Sequence, residues 1–176
     1  MTFKKMFHLV FAVLLGLSLR AHGAVILQYH HVSESLPAVT SVSSETFTEH
    51  MQYLKDNNFN VIPLDELITS LQAGQPLTDK TVAITFDDGY KNNYEEAAPI
   101  LEKFGYPYTI FVNPELIDEG KSYVMTWQQL KELSKKGALI SNHTQIHNYL
   151  HRKQPGESAE AWLARTKEDI LSAQQR

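Results

Sequence analysis

TVAITFDDGY, residues 81–90, joins a six-residue apolar run to two adjacent carboxylates, a glycine and a tyrosine. Thr81–Phe86 is rich in β-branched and aromatic residues and too short for a helix, so it reads as a strand. Four similar runs surround it: Val25–Tyr29 (VILQY), Phe59–Pro63 (FNVIP), Tyr108–Asn113 (YTIFVN) and Ala138–Asn142 (ALISN).

Helix patterns fill the gaps. Phe47, Met51 and Leu54 fall at i, i+4 and i+7 after the candidate N-caps Ser43 and Ser44. Leu64, Leu67, Ile68 and Leu71 form a second stripe with Gly74 beyond it as a stop signal. A third helix, about Asn92 to Phe104, ends at Gly105 and contains Pro99, which predicts a kink or break. Thr126 and Gln129 have capping-box spacing and open a helix that stops at Gly137. A last helix, about Glu157 to Gln174, places Trp162, Leu163, Thr166 and Ile170 on one side. Strand alternating with helix predicts right-handed βαβ units, hence an α/β fold built on about five parallel strands. In such folds the working residues gather at the C-terminal ends of the strands.

Three strand ends carry residues able to do chemistry. After Phe86 come Asp87 and Asp88, and two neighbouring carboxylates at the mouth of an apolar strand are costly to keep ionised. A cation resolves that cost; a solvated Asp-Asp-Gly turn is the plainer alternative. After Asn142 come His143 and His147, whose i, i+4 spacing lets both imidazoles reach one ion. With Asp-Asp at one strand end and this pair at another, a metal site is the favoured reading. A His, His, Asp set leaves a position open for water, as catalytic zinc does. After Tyr29 come His30 and His31, of which at most one faces the site, because neighbours on an extended chain point opposite ways.

Composition narrows the classes. The chain has 176 residues and no cysteine, so any metal is held by His, Asp or Glu, and disulfide scaffolds and thiol nucleophiles are excluded. Residues 1–23 put Lys4 and Lys5 ahead of an apolar run from Met6 to Leu19, with Ala21 and Gly23 as a small-x-small site. That pattern is a secretory signal peptide cut near Gly23; the run is shorter than the ~20 apolar residues of a spanning helix, so no stable membrane anchor is expected. Without Lys4, Lys5 and Arg20 the remaining 153 residues hold 13 basic and 20 acidic groups, a net charge of −7. This disfavours nucleic acid and anionic lipid as ligands.

TFDDGY at 85–90 followed by HTQIH at 143–147 resembles the first two motifs of the polysaccharide deacetylases, the NodB-homology domains of carbohydrate esterase family 4. YHHVSE at 29–34 and TSVSSETF at 40–47 are similar to the N-terminal region of its secreted bacterial poly-N-acetylglucosamine deacetylases. The resemblance implies that residues 24–176 are a NodB-homology domain, that Asp88, His143 and His147 bind a divalent metal, usually zinc (Zn2+), and that Asp87 is the catalytic base. It further implies hydrolysis of N-acetyl groups on an N-acetylglucosamine polymer. A backbone N–H near Tyr90 would face the developing oxyanion, and Thr144 would position the His loop.

The family's later motifs, an Arg-x-Pro segment, an Asp-and-Trp segment and a Leu-x-His segment bearing the general acid, do not occur here. The expected architecture is therefore the N-terminal part of a distorted (β/α) barrel, truncated after five strands. A catalytically silent metal- or carbohydrate-binding remnant is the alternative. A phosphotransferase with a strand-end Asp nucleophile fits poorly, because Gly89 stands where its second acid would be.

Overall fold

The computed structural model describes residues 23–176, so the expected leader of residues 1–23 lies, except for Gly23, outside the described residues. Strand β1 (Ala24–Tyr29) is followed by β2 (His31–Val32) and β3 (Ser41–Val42), which pair in parallel as a separate ribbon. Next come α1 (Ser44–Asp56), β4 (Asn60–Val61), α2 (Leu64–Gln72) and β5 (Thr81–Phe86). A π-helical turn (Asn93–Ala97) runs into α3 (Ala98–Phe104), then β6 (Thr109–Val112) and α4 (Pro114–Asp118). The chain continues through α5 (Trp127–Lys135), β7 (Leu139–Asn142) and α6 (Ala159–Gln174).

β1, β4, β5, β6 and β7 make one five-stranded sheet in which every pairing is parallel. β5 is its axis. β1 pairs along it from Ala24 opposite Thr81 to Tyr29 opposite Phe86, β4 pairs at Thr81 and Val82, and β6 at Thr85 and Phe86. β7 then pairs with β6 from Leu139 opposite Thr109 to Asn142 opposite Val112. All six β5 side chains are buried, as an apolar strand covered on both faces requires.

Phe86, the last residue of β5, is fully buried and anchors the mouth of the sheet. Tyr29 stacks on it at 5.6 Å and meets Phe47 edge-on at 5.0 Å, so β1, β5 and α1 share one aromatic knot. Burying Phe47 and Phe86 contributes about 1.5–3 kcal/mol each. Helix α1 is capped by Ser43, whose side chain accepts from Thr46 N, and it buries Phe47, Met51 and Leu54 as their spacing predicts.

Two expectations needed correction, and a third was met in an unexpected way. β4 is two residues long where FNVIP was expected to pair throughout: Ile62 N still reaches Val82 O at 2.9 Å, but Pro63 has no N–H and caps α2 instead. The helix expected to bend at Pro99 does so by a change of register: Ala98 N bonds to Asn93 O, five residues back, before α3 begins with the proline in its first turn. In α6, Leu163 and Ile170 lie on the exposed side, and the residues buried are Asp169 and Ala173. The inner face of that helix meets a polar loop rather than the apolar core.

Candidate metal centre

The chain turns abruptly after Phe86. Asp88 (φ 67°) and Gly89 (φ 61°) are consecutive residues in the left-handed region. Aspartate tolerates that region better than most residues, and glycine enters it freely. Glycine is required at 89 for a second reason, since a Cβ there would stand 2.9 Å from Val112 Cγ1 on β6. The turn sends the two carboxylates to different partners, and both are buried, with 6% of Asp87 and 8% of Asp88 exposed.

Asp88 faces the loop after β7. Its Oδ1 lies 3.2 Å from His143 Nε2 and 3.2 Å from His147 Nε2. That oxygen is buried and accepts no well-angled hydrogen bond. An ion bound tetrahedrally at the ~2.0–2.1 Å typical of zinc would separate neighbouring donor atoms by about 3.3 Å, so the observed spacing fits one cation among the three. Ligand atoms of Asp88, His143 and His147 all lie within 4.8 Å of one another, a possible three-residue metal site. Burial works to raise the Asp88 pKa, but His143, His147 and a hydrogen bond from Tyr90 together hold it below the usual value. The Asp88 carboxylate in turn holds His143 above the ordinary imidazole value, against the effect of burial.

The His loop is set by its own polar atoms. Thr144 (φ 69°) and His147 (φ 55°) are both left-handed. Thr144 N donates to Asn142 Oδ1 at 2.7 Å, and Thr144 Oγ1 accepts from His147 N at 3.1 Å. His143 N continues the ladder to Val112 O at 3.0 Å. Asn113, buried at the end of β6, donates Nδ2 to the carbonyls of His143 and Thr144.

Asp87 looks the other way, toward β1. Its N donates to Tyr29 O at 2.9 Å, Gln28 Nε2 donates to its Oδ2, and His30 Nε2 stands 3.9 Å from that oxygen. Asp87 is thus beside the three-residue set and outside it. His31 points elsewhere, stacked on Tyr90 with ring centroids 3.7 Å apart and Nδ1 3.0 Å from Asn92 Nδ2. Burial lowers the His31 pKa against the opposing Asn92 contact. Burial, with Asp88 nearby, pushes the Tyr90 phenol up to about 12, so it is a neutral donor. Of the two candidate histidines, His30 is the one near the Asp87 carboxylate. Gln28 and Asn113 carried no motif signal, although the strand-end rule applied to β6 points at Asn113.

Residues 74–176 match the polysaccharide deacetylase family, and the chain belongs to that family. It is 35% identical over 130 residues to YxkH of Bacillus subtilis (strain 168), a polysaccharide deacetylase by name, covering 74% of this chain and 45% of that protein. It is 26% identical over 146 residues to the poly-beta-1,6-N-acetyl-D-glucosamine N-deacetylase of Escherichia coli (strain K12), covering 73% of this chain and 21% of that one. The chain therefore spans less than half the length of either relative. Among solved structures, IcaB from Ammonifex degensii superposes with a TM-score of 0.71 at 26% identity, over 86% of this chain and 66% of that one. The Streptococcus pyogenes deacetylase PplD in complex with acetate gives 0.68 at 26% identity, over 84% and 70%.

Proposed function

We propose that this chain carries the metal-binding and basic residues of a secreted, metal-dependent polysaccharide deacetylase that hydrolyses N-acetyl groups on an N-acetylglucosamine polymer. The observation that carries the reading is the orphaned, buried Asp88 Oδ1 equidistant from His143 and His147 Nε2, with Asp87 alongside. Asp88, His143 and His147 would hold the ion, zinc in this reading. When bound, it supplies a Lewis acid and a water of lowered pKa. Asp87 takes a proton from the attacking water as the new C–O bond forms. The C–N bond then breaks, acetate leaves, and the proton taken up by Asp87 passes to the departing sugar amine. Gln28 keeps the Asp87 carboxylate oriented by donating to it, with His30 3.9 Å away, and the backbone N–H at Tyr90 would face the oxyanion. Export by a leader cleaved near Gly23 and the acidic balance of residues 24–176 agree with a neutral or cationic polymer outside the cytoplasm.

Zinc content of the purified chain and its variants tests the assignment. His143→Ala and Asp88→Ala should lose stoichiometric zinc, whereas Asp87→Asn should keep it and lose about 100-fold or more of acetate release. Unchanged zinc in His143→Ala would sink the site. Full zinc loading with no acetate released from N-acetylglucosamine oligomers would favour a silent metal-binding role over hydrolysis.

A further inference from the structure

The five consecutive backbone amides of the His loop, from His143 to His147, are all satisfied, and two of them end on a single residue of α6. Gln145 N donates to Asp169 O at 2.9 Å and Ile146 N to Asp169 Oδ1 at 3.0 Å. Asp169 comes 22 residues after His147, is 6% exposed, and keeps its Oδ2 enclosed without a hydrogen-bond partner. Its neighbour Ile170 accepts from Asn142 Nδ2 at 2.9 Å, so α6 grips both the end of β7 and the loop beyond it.

We propose that Asp169 is a positioning residue for the metal centre, fixing the backbone that presents His143 and His147; this rests on the metal reading of those residues and Asp88. The loop needs such a hold. Left-handed backbone is strained at a residue with a side chain, and β-branched Thr144 is especially ill suited to it. Conformations of that kind persist only where their surroundings over-determine them. Thr144 and Asn113 hold the first part of the loop, while the amides of Gln145 and Ile146, between the two ligands, depend on Asp169. A helix that merely packed there would present an apolar side chain. Asp169 instead brings a carboxylate into a buried position, where its use is to accept from a specific N–H.

Asp169→Ala removes the acceptor of Ile146 N and leaves that of Gln145 N, which is main-chain. Asp169→Asn keeps a side-chain acceptor in the same place. In zinc titrations of folded protein against a competing chelator, Asp169→Ala should bind about 10- to 100-fold more weakly than wild type, and Asp169→Asn within about threefold. In the metal-free protein, amide exchange at Ile146 should quicken in Asp169→Ala and hold in Asp169→Asn. If Asp169→Ala does not fold, Asp169→Glu, which displaces the acceptor by one methylene, should also weaken zinc. A folded Asp169→Ala or Asp169→Glu with wild-type zinc affinity, even with a lowered Tm, overturns the proposal and leaves Asp169 a packing residue. If wild type binds no zinc, the metal reading has failed instead, and unchanged exchange at Ile146 in Asp169→Ala would then overturn the loop-holding role separately.

Discussion

Gly89 shows how a single position couples backbone to site. In the sequence it reads as a turn residue after two carboxylates, and its positive φ agrees. What a linear reading does not contain is Val112, 23 residues later, whose Cγ1 leaves no room for a Cβ. Gly89→Ala should therefore meet two separate costs, a strained φ and a clash with a side chain on a packed strand. Together they should destabilise the fold by about 2–4 kcal/mol. Urea unfolding in the presence of chelator reads this directly, and a loss below about 0.5 kcal/mol, the scatter of ordinary surface changes, would show that the turn adapts freely. Asp88, His143 and His147, which the fold brings together, could be picked out because a cation site calls for particular residue types at strand ends, and Asp87 because it adjoins them. Gln28 and Asn113 could not, because a single amide has no distinctive spacing and acts only through the neighbours that folding gives it.

Elements were legible in proportion to how local their causes are. The α5 capping box is a contact between residues three apart, and both of its hydrogen bonds form as the T-x-x-Q spacing predicts. Thr126→Ala should cost about 1 kcal/mol of stability while leaving zinc affinity unchanged, since α5 supplies no ligand. Zinc affinity that fell with it would tie α5 to the metal centre in a way its contacts do not suggest. The inner face of α6, by contrast, has a distant cause. Its sequence offers an apolar stripe through Leu163 and Ile170, but the helix turns Asp169 inward, where it accepts from the loop amides of Gln145 and Ile146. The β2 and β3 ribbon was equally hidden, since two-residue strands carry no periodicity.

At the scale of the whole molecule, sequence alternation predicted parallel strands but not their order. β5 lies between β1 on one side and β6 then β7 on the other, which brings residues more than 50 apart in the chain into one cleft. Bound metal should therefore tie β5 to the loop after β7 and stabilise the whole fold, by about 2.7 kcal/mol at a free ion concentration 100 times Kd. The pH dependence should reverse between the two forms. Without metal, His143 has a folded pKa raised above its ordinary 6.5, so its contact with Asp88 stabilises fully below that value and fades as pH rises through the raised one. Asp88, lowered from 3.8, adds stability above that value and loses it as pH falls through the lowered one. The metal-free pair is thus worth most between about pH 4 and 6.5. With zinc, protons compete for the same imidazole nitrogens, so binding strengthens as pH rises and levels off once His143 has lost its proton. The difference in Tm between zinc-loaded and chelator-treated protein should accordingly widen from pH 5.5 to pH 8. It should vanish at every pH in His143→Ala. A difference that stays constant across that range, or that survives the substitution, would mean the ion binds somewhere other than between β5 and the His loop.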